Sequence, residues 1–248
     1  MNCESVDLVI TSPPYFRIDD GSDLSQIKKM NTYLEKLNYI GKEIYRITKN
    51  SLFLNIMEVR YNGQVSNLVG LLIEEYKKIG WLIKNKIIWY VPNKMPTVGS
   101  DFLANKFEHC LHFAKHNGVT FNKDALRIPQ TKDALKDKRK WKYNSKGRDI
   151  GNVWKLYALH LPNPPHKTMF PMEIPLNAIK LLSNKFDTVL DPFMGSGRTL
   201  IACEQLERNS IGIEISEEYC KLAYQRLQKE VNQLKFGREK SIVKTIGF

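Results

Sequence analysis

The chain has 248 residues, of which 42% are hydrophobic, so its composition indicates a globular protein with a sizeable core and excludes a disordered one. Its formal net charge of +12 predicts a polyanionic partner, although a lysine-rich proteome would give the same charge. No apolar run is long enough to cross a bilayer and no signal-peptide pattern opens the chain, so we expect a cytoplasmic protein. We expect reduced thiols and no metal site, because zinc-ligand spacing is absent among the cysteines, Cys3, Cys110, Cys203 and Cys220.

The first half of the chain alternates between strand and helix patterns. Val6 to Ile10 is an apolar run typical of a buried parallel strand, and Ser51 to Ile56 has the same character. Val65 to Ile79 carries a helical stripe that ends at Gly80, a residue typical of a helix C-cap. Between the two strands, apolar residues at helical spacing predict one long amphipathic helix, and they are Leu24, Ile27, Leu34, Leu37, Ile44 and Ile47.

The middle of the chain departs from this alternation. Trp81 to Val91 and Phe107 to Ala114 are β-rich and predict an antiparallel hairpin at the edge of the sheet. After Lys115 the composition changes, because the segment to about Leu161 has few aliphatic residues, interleaved aromatic residues and many bases. We interpret 116–161 as an inserted region, although for any single base a solvated lysine-rich loop is the simpler explanation.

From Phe170 the regular pattern returns, and the chain as a whole predicts one large α/β domain. The predicted elements are a helix over Glu173 to Leu182, a strand over Thr188 to Leu190, a helix over Arg198 to Leu206, a strand over Ile211 to Ile213, and a helix from Glu217 to about Val231 with Ser216 as its N-cap.

A glycine-rich turn, Asp191 to Gly197, follows the first of these late strands. Gly195 and Gly197 lack a Cβ, so the turn can approach a ligand closely, and the next helix points free N–H groups at it. Glu214 ends the following strand, where an acid can accept hydrogen bonds from ribose hydroxyls. Because Leu200 stands where a dinucleotide fingerprint needs a third small residue, we favour a nucleoside-like cofactor without a pyrophosphate. A helix-capping turn beside an unrelated surface acid is the alternative.

A second polar turn, Thr11 to Tyr15, follows the first strand. Two successive prolines fix the backbone and remove two donors, so the Pro13 carbonyl is available to a ligand. Ser12 adds a hydroxyl acceptor, and Tyr15 offers a flat ring for stacking a base. Two acceptors on the N–H groups of an aromatic amine localise its nitrogen lone pair, which prepares it to attack an electrophilic methyl group. The alternative interpretation is an ordinary proline-containing turn without a functional role.

Together these segments resemble the β-class amino-group DNA methyltransferases, which methylate N4 of cytosine or N6 of adenine and in which the catalytic motif precedes the cofactor motif. The resemblance covers most of the chain, and several motifs in the family's order are more specific than any one motif. The matching segments are Ser5–Tyr15, Ile87–Pro96, Glu108–His109, His166–Pro175, Asp187–Thr199 and Ile211–Glu214.

The resemblance implies a doubly wound, mostly parallel, Rossmann-like sheet with an antiparallel hairpin at one edge and an inserted target-recognition region. Residues 1–115 would form the catalytic half of the domain, 116–161 the target-recognition region and 162–248 the cofactor-binding half. The implied cofactor is S-adenosyl-L-methionine, and the implied partner is double-stranded DNA. A cognate restriction endonuclease is a candidate second partner.

The resemblance also assigns residues. The catalytic residues would be Ser12, Pro13, Pro14 and Tyr15, with a flipped base stacked on Tyr15. The cofactor would lie against Thr11, Phe170, Asp191, Pro192, Phe193, Gly195, Gly197, Thr199 and Glu214. The DNA would contact basic side chains of the inserted region, of which the candidates are Lys138, Arg139, Lys140, Lys142, Lys146 and Arg148.

Two features depart from the family pattern. Lys167 replaces the proline that usually follows the preceding histidine. Only Met1 to Glu4 precede the first strand, where the family has a further strand and a Gly-Asp-like turn that helps to hold the adenine ring. Either the tail Lys240–Phe248 supplies a substitute, or the adenine site is incomplete.

The residues leave several activities open. In this family Ser at position 12 favours N4 methylation of cytosine, whereas N6 methylation of adenine usually accompanies an aspartate there. Methylation at C5 of cytosine is disfavoured, since it needs a cysteine nucleophile and Tyr15 follows the prolines. RNA methylation and a DNA-binding relative without activity are further alternatives.

Overall fold

The computed structural model describes residues 1–16, 22–94, 102–130, 144–158, 169–234 and 244–245. Its helices are α1 (Met30–Ile47), α2 (Leu68–Ile79), α3 (Glu173–Leu182), α4 (Arg198–Gln205) and α5 (Glu217–Leu234). Its strands are β1 (Val6–Thr11), β2 (Thr48–Ile56), β3 (Arg60–Tyr61), β4 (Gln64–Val65), β5 (Leu82–Tyr90), β6 (Phe107–Ala114), β7 (Val153–Lys155), β8 (Thr188–Asp191), β9 (Asn209–Gly212) and β10 (Lys244–Thr245).

Within the described residues, eight strands form one sheet in the order β10-β9-β8-β1-β2-β6-β5-β7. The five strands from β10 to β2 are parallel, and β6 runs antiparallel to both β2 and β5. This arrangement confirms the predicted mostly parallel α/β sheet with an antiparallel hairpin. The hairpin is not the outermost element, however, because β7 pairs in parallel with the far side of β5. A three-residue strand inside an irregular segment has too short a pattern to be predicted.

The central strands are buried on both faces, which explains why β1 is apolar at nearly every position. Val9 and Leu52 belong to the core on the side of α1 and α2. Leu8, Ile10 and Phe53 belong to a second core on the other face, together with residues of α3 and α4. The sheet is therefore covered by helices on both sides, as a doubly wound fold requires.

Two predicted helix starts are corrected by the structure. α1 begins at Met30, and Leu24 and Ile27 precede it in a turn from which they pack against the same core, so that they extend the apolar periodicity. α2 begins at Leu68, and Val65 is an exposed residue of the short β3–β4 hairpin. The predicted end of α2 is confirmed, since Gly80 has a φ of 119°.

The late elements match their predictions closely. α3 has the predicted bounds, and the Ser216 hydroxyl accepts a hydrogen bond from the Tyr219 N–H (3.3 Å) at the start of α5. In the tail, Lys244–Thr245 forms a short parallel strand beside β9.

The structure also bears on the membrane, metal and cysteine predictions. None of the helices in the described ranges combines the length and apolar character that a membrane span requires. Among the same residues, His, Cys, Asp and Glu side chains form no group of three or more that could hold a metal. All four cysteines are free: Cys110 and Cys203 are buried, Cys220 is half-buried and Cys3 is exposed.

Candidate active site

The two polar turns meet at one edge of the sheet. β1 and β8 are parallel neighbours, with Leu8 opposite Val189 and Val9 opposite Leu190, so their carboxyl ends lie side by side. The Thr11 hydroxyl, at the end of β1, donates a 3.0 Å hydrogen bond to Oδ1 of Asp191 at the end of β8. Segments 180 positions apart in sequence therefore share one crevice, as the motifs predict.

The Asp191 carboxylate is buried and holds this junction together. Besides Thr11, it accepts hydrogen bonds from the Thr199 hydroxyl (2.6 Å) and from the Phe193 N–H (3.1 Å). Burial raises the pKa of Asp191 to about 6, although its three donors act in the opposite direction. The carboxylate thereby links β1, the glycine-rich turn and α4.

Glu214 fixes the other side of the glycine-rich turn. Its Oε2 accepts a hydrogen bond from the Gly195 N–H (2.9 Å), and its Oε1 accepts one from the Ser216 N–H (2.9 Å). Gly195 and Gly197 have φ values of 50° and 80°, a region that favours glycine. A Cβ on Gly197 would also lie 2.8 Å from the Cβ of Ala223 in α5. Glycine is therefore required at position 197 by the backbone conformation and by the packing of α5. This reason differs from the predicted one, which was the close approach of a ligand.

The Tyr15 hydroxyl lies at the centre of a polar network. It donates a 2.7 Å hydrogen bond to Oε2 of Glu108, and it accepts from the Ser12 hydroxyl (3.2 Å) and from the Asn55 side-chain amide. The Asn55 amide also donates to Glu108 Oε2 (2.9 Å), and Lys94 Nζ lies 3.3 Å from Glu108 Oε1. Burial and the negative charge of Glu108 raise the pKa of Tyr15 well above its usual value of 10.

The backbone of the Ser-Pro-Pro-Tyr turn is held from the side of α1. The Tyr33 hydroxyl donates to the Pro14 carbonyl (2.7 Å). Phe16, which is fully buried, packs with ring centroids 5.4 Å from both Tyr33 and Tyr61. These contacts fix the direction in which the turn leaves β1.

The structure brings most predicted site residues to this crevice but not all of them. Phe170 is half-buried and packs against the core beside α3. Lys146 and Arg148 are exposed, and Lys146 forms an ion pair with Asp124 (2.9 Å). The remaining predicted DNA contacts, Lys138, Arg139, Lys140 and Lys142, lie outside the described residues.

Sequence reasoning missed several residues of the crevice. Asn55 and Glu108 occupy inward positions of buried strands, and Asn55 interrupts an otherwise apolar run, which is a usable signal. Lys94 lies inside the matching segment Ile87–Pro96 but was given no role there, and Tyr33 carries no local signal, because its importance comes only from tertiary contacts. Ile215 follows Glu214 and is 92% exposed, which places an aliphatic surface beside that acid.

Comparison with known proteins agrees with this geometry. Residues 6–225 match the sequence model of the N6/N4 methyltransferase family, and this family is described as DNA methylase. The chain belongs to this family. Among its relatives, the type II methyltransferase M.HpaI from Haemophilus parainfluenzae is 32% identical over 238 residues, which are 92% of this chain and 70% of the relative. M.SmaI from Serratia marcescens is 25% identical over 261 residues, with coverage of 92% and 86%.

Solved structures confirm the fold. TTHA0409 from Thermus thermophilus, solved with S-adenosyl-L-methionine, superposes with a TM-score of 0.69 at 24% identity and covers all of this chain and 94% of that chain. PvuII DNA methyltransferase, described as cytosine-N4-specific, gives a TM-score of 0.71 at 17% identity, with coverage of 96% and 88%. This methylase is an S-adenosyl-L-methionine-dependent DNA amino-methyltransferase, which confirms the family and cofactor inferred from its motifs.

Proposed function

We propose that this methylase transfers a methyl group to N4 of a cytosine that is flipped out of duplex DNA into the crevice between the two polar turns. The observation that carries the proposal is the junction of β1 and β8, which places the Ser12–Tyr15 turn beside the glycine-rich turn. One wall is suited to a nucleoside-like cofactor and the other to a planar amine. Chemistry between two ligands requires such shared access.

The residues of the cofactor wall fit S-adenosyl-L-methionine, which when bound supplies an electrophilic methyl group on a sulfonium. Glu214 receives two backbone N–H groups and keeps lone pairs for ribose hydroxyls. Ile215 offers an exposed apolar surface to the adenine ring. Pro192, Phe193 and Gly195 line the turn that we assign to the cofactor. Asp191, Thr11, Thr199 and Gly197 contribute by holding the turn in shape.

The amine wall is formed by the Ser-Pro-Pro-Tyr turn. The Ser12 hydroxyl donates its proton to Tyr15, so its lone pairs are left for an N–H of the target amine. The Pro13 carbonyl is the second acceptor, and the Tyr15 ring stacks the base. Ser12 favours cytosine over adenine through the family association, because serine at this position usually accompanies N4 methylation of cytosine and aspartate usually accompanies N6 methylation of adenine.

We assign the remaining regions in the same way. Residues 1–115 and 162–248 supply the two halves of the crevice, and 116–161 supplies the target-recognition region that reads the DNA. A cognate restriction endonuclease is the corresponding partner, and the cytoplasm is the corresponding compartment.

One experiment tests both the activity and the target base. The protein is incubated with phage λ DNA from a host without DNA methyltransferases and with S-adenosyl-L-methionine carrying a tritiated methyl group. We expect tritium in the DNA, and mass spectrometry of the digested DNA should find N4-methylcytosine. N6-methyladenine alone would reverse the choice of base. DNA binding without any transfer would favour the inactive DNA-binding relative, and transfer to RNA but not DNA would overturn the proposal.

A further inference from the structure

The hydrogen bonds around Tyr15 have a defined direction. An ionised carboxylate only accepts, so the proton between Tyr15 and Glu108 belongs to the Tyr15 hydroxyl. That hydroxyl then has only its lone pairs for its other neighbours, and the Ser12 hydroxyl and the Asn55 amide must donate to it. Ser12, Tyr15 and Glu108 therefore form a chain of hydrogen bonds that all point the same way, from the proposed amine site to the carboxylate.

The far end of this chain is built to hold a negative charge. Glu108 is buried, with its side chain 11% exposed, and it receives two N–H or O–H donors on one oxygen and Lys94 on the other. Among the described residues, the other titratable group that touches the network is Cys110, whose Sγ donates to Asn55 Oδ1 (3.2 Å). Burial raises the pKa of Cys110, so it stays a neutral thiol. Stacking a base needs only the Tyr15 ring, and these contacts of its hydroxyl have no part in stacking.

We propose, building on the proposed function, that Ser12, Tyr15 and Glu108 form a proton relay that delivers the proton lost by the methylated amine to the Glu108 carboxylate. The amine nitrogen forms a bond to the methyl carbon, and the electrons of the broken carbon–sulfur bond stay on the sulfur. One N–H proton then passes to Ser12 Oγ, the Ser12 hydroxyl proton passes to Tyr15, and the Tyr15 hydroxyl proton passes to Glu108.

The charges balance in this step. Before it, the sulfonium is positive and Glu108 is negative, and after it the thioether, the methylated amine and the Glu108 carboxylic acid are all neutral. The relay resets when Glu108 loses its proton to solvent past Lys94, whose side chain is 26% exposed. Asn55 and Lys94 act on the reaction only through Glu108 and are positioning residues.

The test uses Tyr15→Phe, Glu108→Gln and the double variant of the full-length protein, with phage λ DNA and tritiated S-adenosyl-L-methionine. Tyr15→Phe keeps the stacking ring and removes the relay hydroxyl. We expect each single variant to slow single-turnover transfer at least about tenfold, with the KM for DNA and the Kd for the cofactor within about twofold of wild type. Because both residues act in one relay, the double variant should be no slower than the slower single variant.

Tyr76→Phe is the matched control. It removes another buried tyrosine hydroxyl, which donates to the Leu37 carbonyl (3.1 Å) between α1 and α2 and contacts neither polar turn through that hydrogen bond. We expect it to lower stability and to leave the transfer rate unchanged.

A second measurement needs neither cofactor nor DNA. In protein labelled with ¹³C at the ring carbon that bears the tyrosine hydroxyl, the signal absent from Tyr15→Phe reports the titration of Tyr15. We expect the Glu108→Gln variant to titrate Tyr15 at lower pH than wild type does, since it removes the adjacent negative charge. An unchanged titration would show that Glu108 does not interact with the Tyr15 hydroxyl and would overturn the relay.

The outcomes separate the two proposals. Wild-type transfer with a Tyr15→Phe variant at the wild-type rate overturns the relay and leaves the proposed function standing. Losses that multiply in the double variant also overturn it, because they assign Tyr15 and Glu108 to independent roles. A wild-type protein that transfers no methyl group overturns the proposed function and the relay with it.

Discussion

A carboxylate beside a binding site either contacts the ligand or fixes the backbone around it, and we propose that this site contains one of each. Asp191 is almost fully buried and uses its two oxygens for three donors from β1, the turn and α4. Glu214 is half-buried and uses its oxygens for only two backbone N–H groups. An ionised carboxylate has about four acceptor positions, so Glu214 has capacity left for a ligand. The difference between these acids is one of partners, since both lie at the carboxyl ends of neighbouring parallel strands: Asp191 is the last residue of β8, and Glu214 follows β9, which ends at Gly212.

A second buried titratable residue, His112, shows how burial sets protonation in this fold. Its side chain lies on β6, where the Asn85 amide donates to Nδ1 (3.1 Å) and Nε2 lies 3.2 Å from the Ser51 hydroxyl. Because Nδ1 accepts, Nε2 carries the proton and donates to Ser51. Burial and the nearby Lys84 lower the pKa of His112 to about 4, so the ring stays neutral in the folded protein.

This pKa makes stability depend on pH in a predictable direction. The unfolded chain protonates His112 below about pH 6.5, while the folded protein resists protonation down to about pH 4, so stability falls as the pH drops through this window. Because only the unfolded chain takes up this proton, we expect His112 to lower the free energy of unfolding by about 2 kcal/mol when the pH falls from 7.5 to 5.0. Asp191, with its raised pKa, acts in the opposite direction, so the His112 contribution is read from a comparison with His112→Gln.

Urea unfolding at both pH values provides the measurement. The loss between pH 7.5 and pH 5.0 should be about 2 kcal/mol smaller in His112→Gln than in wild type. Equal losses in the two proteins would mean that His112 is already protonated in the folded state at pH 5.0.

At the scale of elements, prediction succeeded where apolar periodicity is long and bounded by capping residues. The bounds of α3 and the end of α2 at Gly80 are of this kind. It failed where a short element depends on its neighbours, as in β7, which has only three residues. It also failed where a turn packs against the same core as a helix, because the residues before α1 continue its periodicity without being helical.

The start of α2 illustrates a capping arrangement that local sequence does not reveal. Asn67 precedes the helix but forms no side-chain cap. Instead Glu58 reaches back, and its two oxygens accept hydrogen bonds from the N–H groups of Leu68 (2.9 Å) and Val69 (3.1 Å). Ser66 donates to the same carboxylate (2.9 Å). A negative charge at a helix N-terminus also interacts favourably with the helix dipole.

We expect Glu58→Ala to lower the unfolding free energy by about 1–2 kcal/mol, the usual cost of losing a helix cap. The matched control is Glu74→Ala on the same helix, where an exposed carboxylate pairs with Lys77 and its loss should cost about 0.5 kcal/mol or less. Urea denaturation of both variants decides the question. Equal losses would show that Glu58 contributes no more than a surface ion pair.

At the scale of the whole molecule, the site depends on pairing between the two ends of the chain. Each motif could be identified locally, and the family order implied that they meet, but only the sheet topology shows how the Thr11 hydroxyl reaches Asp191. The Tyr15–Glu108–Asn55 network was not predictable, because it combines the turn after β1 with side chains of β2 and β6, and the order of these strands is set by tertiary packing. Sequence therefore predicted the ligand-facing turns better than the side chains that support them.

The net charge of +12 has two explanations, and DNA binding at different salt concentrations distinguishes them. If the lysine and arginine side chains of the inserted region bind phosphates, each bound phosphate releases counterions. The slope of log K against log salt concentration should then fall by about one for every phosphate that a variant no longer binds. We expect this reduction when Lys138, Arg139, Lys140 and Lys142 are all replaced by glutamine. A charge that serves only solubility predicts an unchanged slope.

The control for this experiment removes the same amount of charge elsewhere. Four lysines outside residues 116–161 each pair with a glutamate, and they are Lys77, Lys78, Lys185 and Lys221. Replacing these four by glutamine lowers the net charge equally, so it reproduces any effect of overall charge on long-range attraction. Fluorescence anisotropy with a labelled duplex at several salt concentrations should show a smaller slope for the first variant than for the control. Equal slopes in both variants would show that the DNA phosphates are bound by residues other than the four replaced in the inserted region.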